Sequence, residues 1–379
     1  MTNGPPPADN SPLSALHRRV IDAIESWDPT GHSHRWPRAR FDALAAELFA
    51  HQYTHIEAYR TLCDGRGVTP GGDPSPDEIP AVPTDAFKFT DLFAGAEPAH
   101  VFRTSGTTAD EARGEHHFRT RDVYRASLHP TFKRFCNPGG DRLRMLILAP
   151  SPEHLPDSSL SFMLGALVQR HGDAESDYFV TLDDDGRWEF ATDALCRALD
   201  KACDDQATTM LLGTAFGFAE FLERQDRRWQ LPEDSRLMET GGFKGRFRDL
   251  SRAELYAQFA DRFGLPRSRC LSEYSMTELS SQTYTDHLVS AEATGRFYGP
   301  PWLDIKVADP VSLEAIDEVE TPGLIRFFDL ANVDSVCAIQ TSDRGIIHAD
   351  GGLQFLGRAP DAQLRGCSLT IEELVGTRK

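Results

Sequence analysis

Apolar residues recur at helical spacing over residues 13–27 and 41–63, which predicts a helical start to the chain, and a Gly-, Pro- and Asp-rich connection follows over 65–83. From about residue 104 to 275 the pattern changes. Short apolar runs of strand length at 145–148, 178–181, 210–212 and 270–271 alternate with amphipathic helical patterns near 160–170, 192–203, 215–224 and 252–263. This alternation predicts an α/β fold with a mostly parallel sheet, because each crossover between parallel strands needs a helix-length connection. Beyond Pro300 the pattern shifts to short β segments punctuated by Gly and Pro, at 303–307, 324–328, 338–341 and 353–356. The expected organisation is a polar tail over 1–12, a helical part of the large domain over 13–100, an α/β core over 101–299 and a β-rich subdomain over 300–379.

Composition narrows what this fold can be asked to do. The chain has 379 residues, of which 40% are hydrophobic, enough for a substantial core. Forty Lys and Arg stand against 58 Asp and Glu, a formal balance of −18 that argues against general affinity for nucleic acid or anionic membranes. Any phosphate site is therefore expected to be local. The start, Met1-Thr-Asn-Gly-Pro-Pro-Pro-Ala-Asp-Asn10, has no apolar stretch behind a basic head, so neither a signal peptide nor an anchor is expected. The longest apolar run, 210–222, is interrupted by Gly213, Thr214, Gly217 and Glu220 and falls short of the ~20 residues of a membrane span. The seven cysteines, Cys63, Cys136, Cys196, Cys203, Cys270, Cys337 and Cys367, are odd in number, scattered and without a Cys-x-x-Cys pair. They fit a reducing, cytoplasmic setting better than a disulfide framework or a zinc site, and Cys270 and Cys337 read as core.

Three segments carry candidate chemistry. Phe102-Arg-Thr-Ser-Gly-Thr-Thr108 concentrates hydroxyls and backbone N–H groups around Gly106, so that Thr104, Ser105, Gly106, Thr107 and Thr108 can cradle phosphates. Such loops are usually just turns, and this one lacks the Gly-Lys-Ser/Thr ending of a P-loop. Glu273-Tyr-Ser-Met-Thr-Glu278 leaves a strand of the α/β core, where ligands of open sheets bind. There Thr277 can bond a phosphate and Glu278 can hold Mg²⁺ between phosphate oxygens. Near the end of the chain stands Cys367, a candidate nucleophile whose neighbour Arg365 would favour the thiolate. His116, His117 and His154 stay outside the catalytic set, and Asp157-Ser-Ser159 reads as a helix N-cap.

Taken together these segments resemble the adenylate-forming superfamily. Residues 102–108 resemble its phosphate-binding signature, and Tyr274–Glu278 its Tyr-Gly-x-Thr-Glu signature with Ser275 in place of glycine. Thr341-Ser-Asp343 is similar to Thr-Gly-Asp, whose aspartate binds the ribose, and Gly357-Arg-Ala-Pro-Asp361 to the hinge whose arginine, here Arg358, also reaches the ribose. The resemblance implies that Tyr274 lies against the adenine. Further segments resemble the LuxE-type acyl-protein synthetases: Ala149-Pro-Ser-Pro-Glu-His-Leu-Pro-Asp-Ser-Ser-Leu-Ser-Phe162, Glu239-Thr-Gly-Gly-Phe-Lys-Gly245 and Leu364-Arg-Gly-Cys-Ser-Leu369.

That family implies ATP- and Mg²⁺-dependent activation of a fatty acid to an acyl-adenylate. The acyl group then passes to a cysteine, Cys367 by position, from which a partner acyl reductase takes it. The superfamily usually continues about a hundred residues past the hinge into a lid with a catalytic lysine, whereas this sequence stops at Lys379. Lys244, in a turn with Gly241 and Gly242 that would also bind ATP, is the expected replacement. Two alternatives remain open at this level: a ligase passing the acyl group to coenzyme A or a carrier protein, and a silent nucleotide-binding scaffold, which the replacement of two signature glycines by Ser275 and Ser342 keeps in view.

Overall fold

The computed structural model describes residues 14–31, 35–105, 112–242, 250–360 and 365–375. Two compact units share the chain. The first comprises Met1–Thr131, Ser275–Thr283 and Arg296–Lys379, the second Phe132–Tyr274 and Tyr284–Gly295.

In the second unit the strands Asp177–Leu182, Arg144–Pro150, Thr209–Thr214, Arg236–Thr240 and Cys270–Tyr274 lie side by side in that order, all parallel. Trp188–Phe190 adds an antiparallel edge. The helices Ser159–His171, Thr192–Asp204, Ala215–Arg224 and Arg252–Phe263 supply crossovers. Their starts are chemically marked. The Ser158 and Thr214 hydroxyls accept from the backbone N–H groups of Ser161 and Gly217 at 3.2 and 2.9 Å. Ser251 and Glu254 form a capping box, and Gly264 ends that helix at φ 69°, a backbone geometry that favours glycine. Phe218, Phe221, Phe259, Phe263 and Trp229 fill the core beneath these helices. The strand Arg236–Thr240 was not expected from the hydrophobic pattern. Only Leu237 and Met238 are apolar in it, and its buried Arg236 and Glu239 are satisfied individually, Arg236 Nη1 by donating to the Cys136 carbonyl at 3.0 Å.

The first unit is built on antiparallel pairing. Ala315–Ile316, Leu303–Ala308, Pro322–Asp329, Ala338–Ile347, Leu353–Arg358 and Phe297–Tyr298 follow one another across its sheet, with Val82–Pro83 parallel to Ala338–Ile347. A separate hairpin joins His100–Arg103 to Glu115–Phe118. The helical pattern at 41–63 proves to be two helices, Arg38–His55 and Glu57–Gly65, because Ile56 takes extended backbone (φ −106°, ψ 99°) while its side chain stays buried. Trp302 anchors the core of this unit, its ring 5.4 Å from Trp27 and its Nε1–H donating to the Ser127 hydroxyl at 2.8 Å.

The C-terminal stretch, expected as part of a β-rich subdomain, contains the helix Arg365–Val375. Arg66 ties it down, donating to the Thr370 hydroxyl at 2.7 Å and to Glu373 Oε2 at 2.9 and 3.1 Å. All seven cysteines are free, and Cys270 and Cys337 are buried as expected of core residues. Among the described residues no helix is long and apolar enough to cross a membrane.

Candidate active site

The hairpin of the first unit leads into the candidate phosphate loop. Phe102 is fully buried against Phe118 and Tyr124, with ring centroids 5.1 and 5.8 Å away, which fixes the strand that leads into the loop. At the hairpin's open end Thr104 N–H donates to the Gly114 carbonyl, and Gly114 N–H returns to the Thr104 hydroxyl, both at 2.9 Å. Arg113 Nε donates to the Thr104 carbonyl at 2.6 Å. Thr104 is half-buried and Ser105 exposed, so the segment emerges from a fixed base toward solvent. Gly106, Thr107 and Thr108 lie outside the described residues.

The turn carrying Thr277 and Glu278 is held by side chains from three other places in the same unit. His116, on the second hairpin strand, places Nδ1 2.8 Å from the Thr277 carbonyl. Asn332 Nδ2 donates to the Glu278 carbonyl at 2.8 Å. Asp329 accepts the backbone N–H groups of Ser280 and Ser281 at 3.0 and 2.9 Å and the Ser281 hydroxyl at 2.7 Å. Main-chain groups pinned in this way leave the side chains of the turn to face a ligand. The Glu278 side chain is buried, and burial pushes its carboxyl up to about 7. Asp85 adds to the rise, whereas its own backbone N–H, Lys88 and Arg358 oppose it. A buried carboxyl short of positive charge is suited to share a divalent cation with phosphate oxygens, the manner in which Mg²⁺ is usually held. Among the described residues no group of three or more His, Cys, Asp or Glu is placed to hold a metal by itself. The residues present therefore offer a cation one protein carboxylate here, Glu278.

Asp343 and Arg358 are direct cross-strand partners on adjacent antiparallel strands. The Thr341 hydroxyl accepts from Asp343 N–H at 3.1 Å and donates to the Ile325 carbonyl at 2.8 Å, so the aspartate leaves the strand in a fixed direction. Opposed carboxylate and guanidinium groups can address the two hydroxyls of a ribose together.

In the second unit, Tyr274 ends the strand Cys270–Tyr274, and Gly241 and Gly242 follow the neighbouring strand. Gly241 has φ 74° and open space where a side chain would stand, which suits close approach of a ligand to backbone. A network that the sequence did not announce supports this turn. Arg252 Nη2 donates to the Gly241 carbonyl at 2.9 Å and Nη1 to the buried Glu239 at 2.5 Å, while the Tyr256 and Ser272 hydroxyls also donate to Glu239. Burial raises the Glu239 carboxyl against these donors. Lys244 lies outside the described residues.

Cys367 sits on the C-terminal helix in the first unit, packed with Leu313, Leu324 and Ala359. Its thiol is pushed up to about 11 by burial and by Asp85. This direction is opposite to the one expected from the neighbouring Arg365. In the docked helix the sulfur is a shielded neutral thiol, because the apolar wall removes the water that would stabilise a thiolate.

Sequence reasoning set His116 aside from the catalytic set, as its holding role bears out, and missed Asp329, Asn332, Arg252 and Glu239. The available signal was slight: His116 shares an inward face with Phe118 at the period of two, the spacing of a half-buried strand. Of the other motifs, Ser158 within the 157–159 segment is the N-cap expected there.

The family model described as acyl-protein synthetase, LuxE, matches residues 7–375. Among solved structures, 2-hydroxyisobutyryl-CoA ligase in complex with 2-HIB-AMP and CoA in the thioesterification state is similar with a TM-score of 0.60 and 14% identity, over 95% of this chain and 73% of that one. The open conformation of the same ligase with 2-HIB-AMP and CoA gives a TM-score of 0.59 and 14% identity, over 89% and 75%. At this identity the likeness is one of fold, that of adenylate-forming ligases. No curated protein matches the sequence.

Proposed function

The chain belongs to the LuxE acyl-protein synthetase family of AMP-forming ligases, and from this premise we propose that it activates a fatty acid and carries the acyl group on Cys367. In the first step a carboxylate oxygen of the acid attacks the α-phosphorus of ATP and pyrophosphate leaves, giving a mixed anhydride. In the second the Cys367 sulfur attacks the acyl carbon and AMP leaves, giving a thioester for a partner such as an acyl reductase.

Residues from Thr104 to Thr108 cradle the phosphates, Thr277 contacts the α-phosphate, Asp343 and Arg358 hold the ribose, and Tyr274 lies against the adenine. Gly241 and Gly242 admit the nucleotide close to the backbone, with Lys244 as a further cation. Mg²⁺, when bound, offsets charge on the phosphate oxygens, and Glu278 is the residue that would hold it. The protein acts in a reducing cytoplasm.

One observation carries this reading: within a single unit His116 joins the hairpin that bears Thr104 to the Thr277–Glu278 turn, and the same unit sets Asp343 opposite Arg358 on neighbouring strands.

A second reading, transfer to coenzyme A or a carrier protein, is favoured by the burial of the Cys367 thiol. Intact-protein mass after incubation with ATP, Mg²⁺ and a panel of carboxylic acids separates the two. An ATP-dependent, hydroxylamine-labile acyl adduct on the wild type and none on Cys367→Ser is the expected result. Pyrophosphate release from both proteins without an adduct would move the acceptor to an external thiol.

A further inference from the structure

The 3-10 helix Thr84–Lys88 lies at a meeting point of the first unit. It touches the hairpin strand Glu115–Phe118, the strand Ala338–Ile347 that bears Asp343, and the helix Arg365–Val375 that bears Cys367. Phe87 anchors it. This side chain is buried, its ring meets His116 edge to face at 5.9 Å, and its Cβ lies 3.3 Å from the point where a side chain on Gly114 would begin. Gly114 is bonded to Thr104 at the base of the phosphate loop, and His116 holds the Thr277 carbonyl. The short helix is thereby fixed to both phosphate-facing elements.

From this mount Asp85 and Lys88 project as a pair, Nζ to Oδ1 2.7 Å, with the Lys88 side chain 36% exposed and so within reach of a ligand. The pair stands on the helix that packs against both the strand bearing His116 and the strand bearing Asp343, and so beside the elements that face the nucleotide. An exposed ion pair of this kind is weak and readily exchanged, whereas an ammonium bound to phosphate forms a strong charge-assisted hydrogen bond.

We propose that Lys88 is a catalytic residue that binds the phosphates of the nucleotide, giving up Asp85 for a phosphate oxygen when ATP enters. There its charge offsets the negative charge that builds on the departing pyrophosphate. The inference rests on the acid-activating reading above and adds a phosphate cation within the described residues, distinct from Lys244.

The test is equilibrium binding of Mg·ATP and of adenosine to the full chain, comparing wild type, Lys88→Ala, Lys88→Arg and Lys244→Ala. Lys88→Ala should weaken Mg·ATP about tenfold or more, the scale of a lost charged hydrogen bond, and leave adenosine unchanged; Lys88→Arg should recover part of the loss. The proposal is overturned if Lys88→Ala binds both ligands like wild type, if it loses both together as a folding role would require, or if the wild type does not bind Mg·ATP. It is likewise overturned if Lys244→Ala alone shows the phosphate-specific loss. Acid-dependent exchange of pyrophosphate into ATP reports on the activation chemistry separately: no exchange by the wild type, with a phosphate-specific loss in Lys88→Ala, would keep the assignment of Lys88 and reject the reaction.

Discussion

Burial decides what His116 can do. Its ring is 1% exposed, flanked by Phe87 and Phe118, and burial holds it down at about 4, so it is neutral at physiological pH. A neutral imidazole has one N–H, and the Thr277 carbonyl only accepts, so the proton belongs on Nδ1 and Nε2 is left as a buried acceptor without a partner. A lone buried acceptor costs stability, and the bond to Thr277 is what the residue contributes in return. His116→Ala opens a cavity and frees that carbonyl. Urea unfolding at neutral pH should show a loss of roughly 2–4 kcal/mol, as for other large-to-small core changes. His116→Asn, which keeps a donor, should lose less, and the Michaelis constant for ATP should rise more in the alanine variant. Unchanged stability of His116→Ala would mean that the turn is held without it.

At the scale of elements, the C-terminal helix governs when Cys367 can react. The ordinary thiol value of 9 becomes about 11 in the docked helix, which lowers the thiolate fraction about a hundredfold at any pH below both. Arg66 is the side chain that ties this helix through Thr370 and Glu373. Iodoacetamide labelling of the Cys367 peptide, followed by mass spectrometry at pH 8, should therefore be slow in the wild type and about tenfold faster or more in Arg66→Ala, within the hundredfold limit that full release would allow. Equal rates would show that the docking does not depend on Arg66.

The same helix marks a limit of reading elements from sequence. The helices Ala215–Arg224 and Arg252–Phe263 were legible from their amphipathic patterns, and Thr214, Ser251 and Gly264 mark their ends chemically. Leu303–Ala308 and Leu353–Arg358 were legible from their apolar runs. Arg365–Val375 carries an apolar stripe too, Cys367, Ile371 and Leu374, but a short one at the end of a β-rich stretch, and Arg236–Thr240 hides a central strand behind Arg236 and Glu239. In the site, residues offering side chains to a ligand stood out as motifs. Those holding the backbone behind them, His116, Asp329, Asn332 and Arg252, did not, since their partners are 161, 48, 54 and 11 residues away in sequence. Local spacing cannot report such pairs.

At the scale of the whole molecule, the two units carry different balances of buried titratable groups, and this predicts how each answers to acid. His51 and His116 in the first unit, and His171 and His287 in the second, are each held at about 4, chiefly by burial, against an ordinary 6.5. An unfolded chain takes up these protons near pH 6.5 and the folded one does not, so their contribution is complete above that pH and is lost as pH falls toward 4. Buried carboxyls act with the opposite sign. Glu278 at about 7 and Asp329 at about 6 keep their protons in the fold above the pH at which the unfolded chain releases them, so they favour folding on acidification. Both lie in the first unit, where they largely cancel the two histidines between pH 4.5 and 6.5. On that side the second unit has Glu239, its carboxyl raised by burial. Acid should therefore destabilise the second unit more steeply than the first. Single-tryptophan variants retaining Trp302, in the first unit, or Trp229, in the second, make this measurable by fluorescence-detected urea unfolding across pH 4.5 to 7.5. The Trp229 midpoint should fall clearly as pH drops below 6.5 while the Trp302 midpoint stays nearly level. If both fall in parallel the carboxyls of the first unit do not retain their protons, and Glu278 is already an anion at neutral pH, favoured by its own backbone N–H, Lys88 and Arg358.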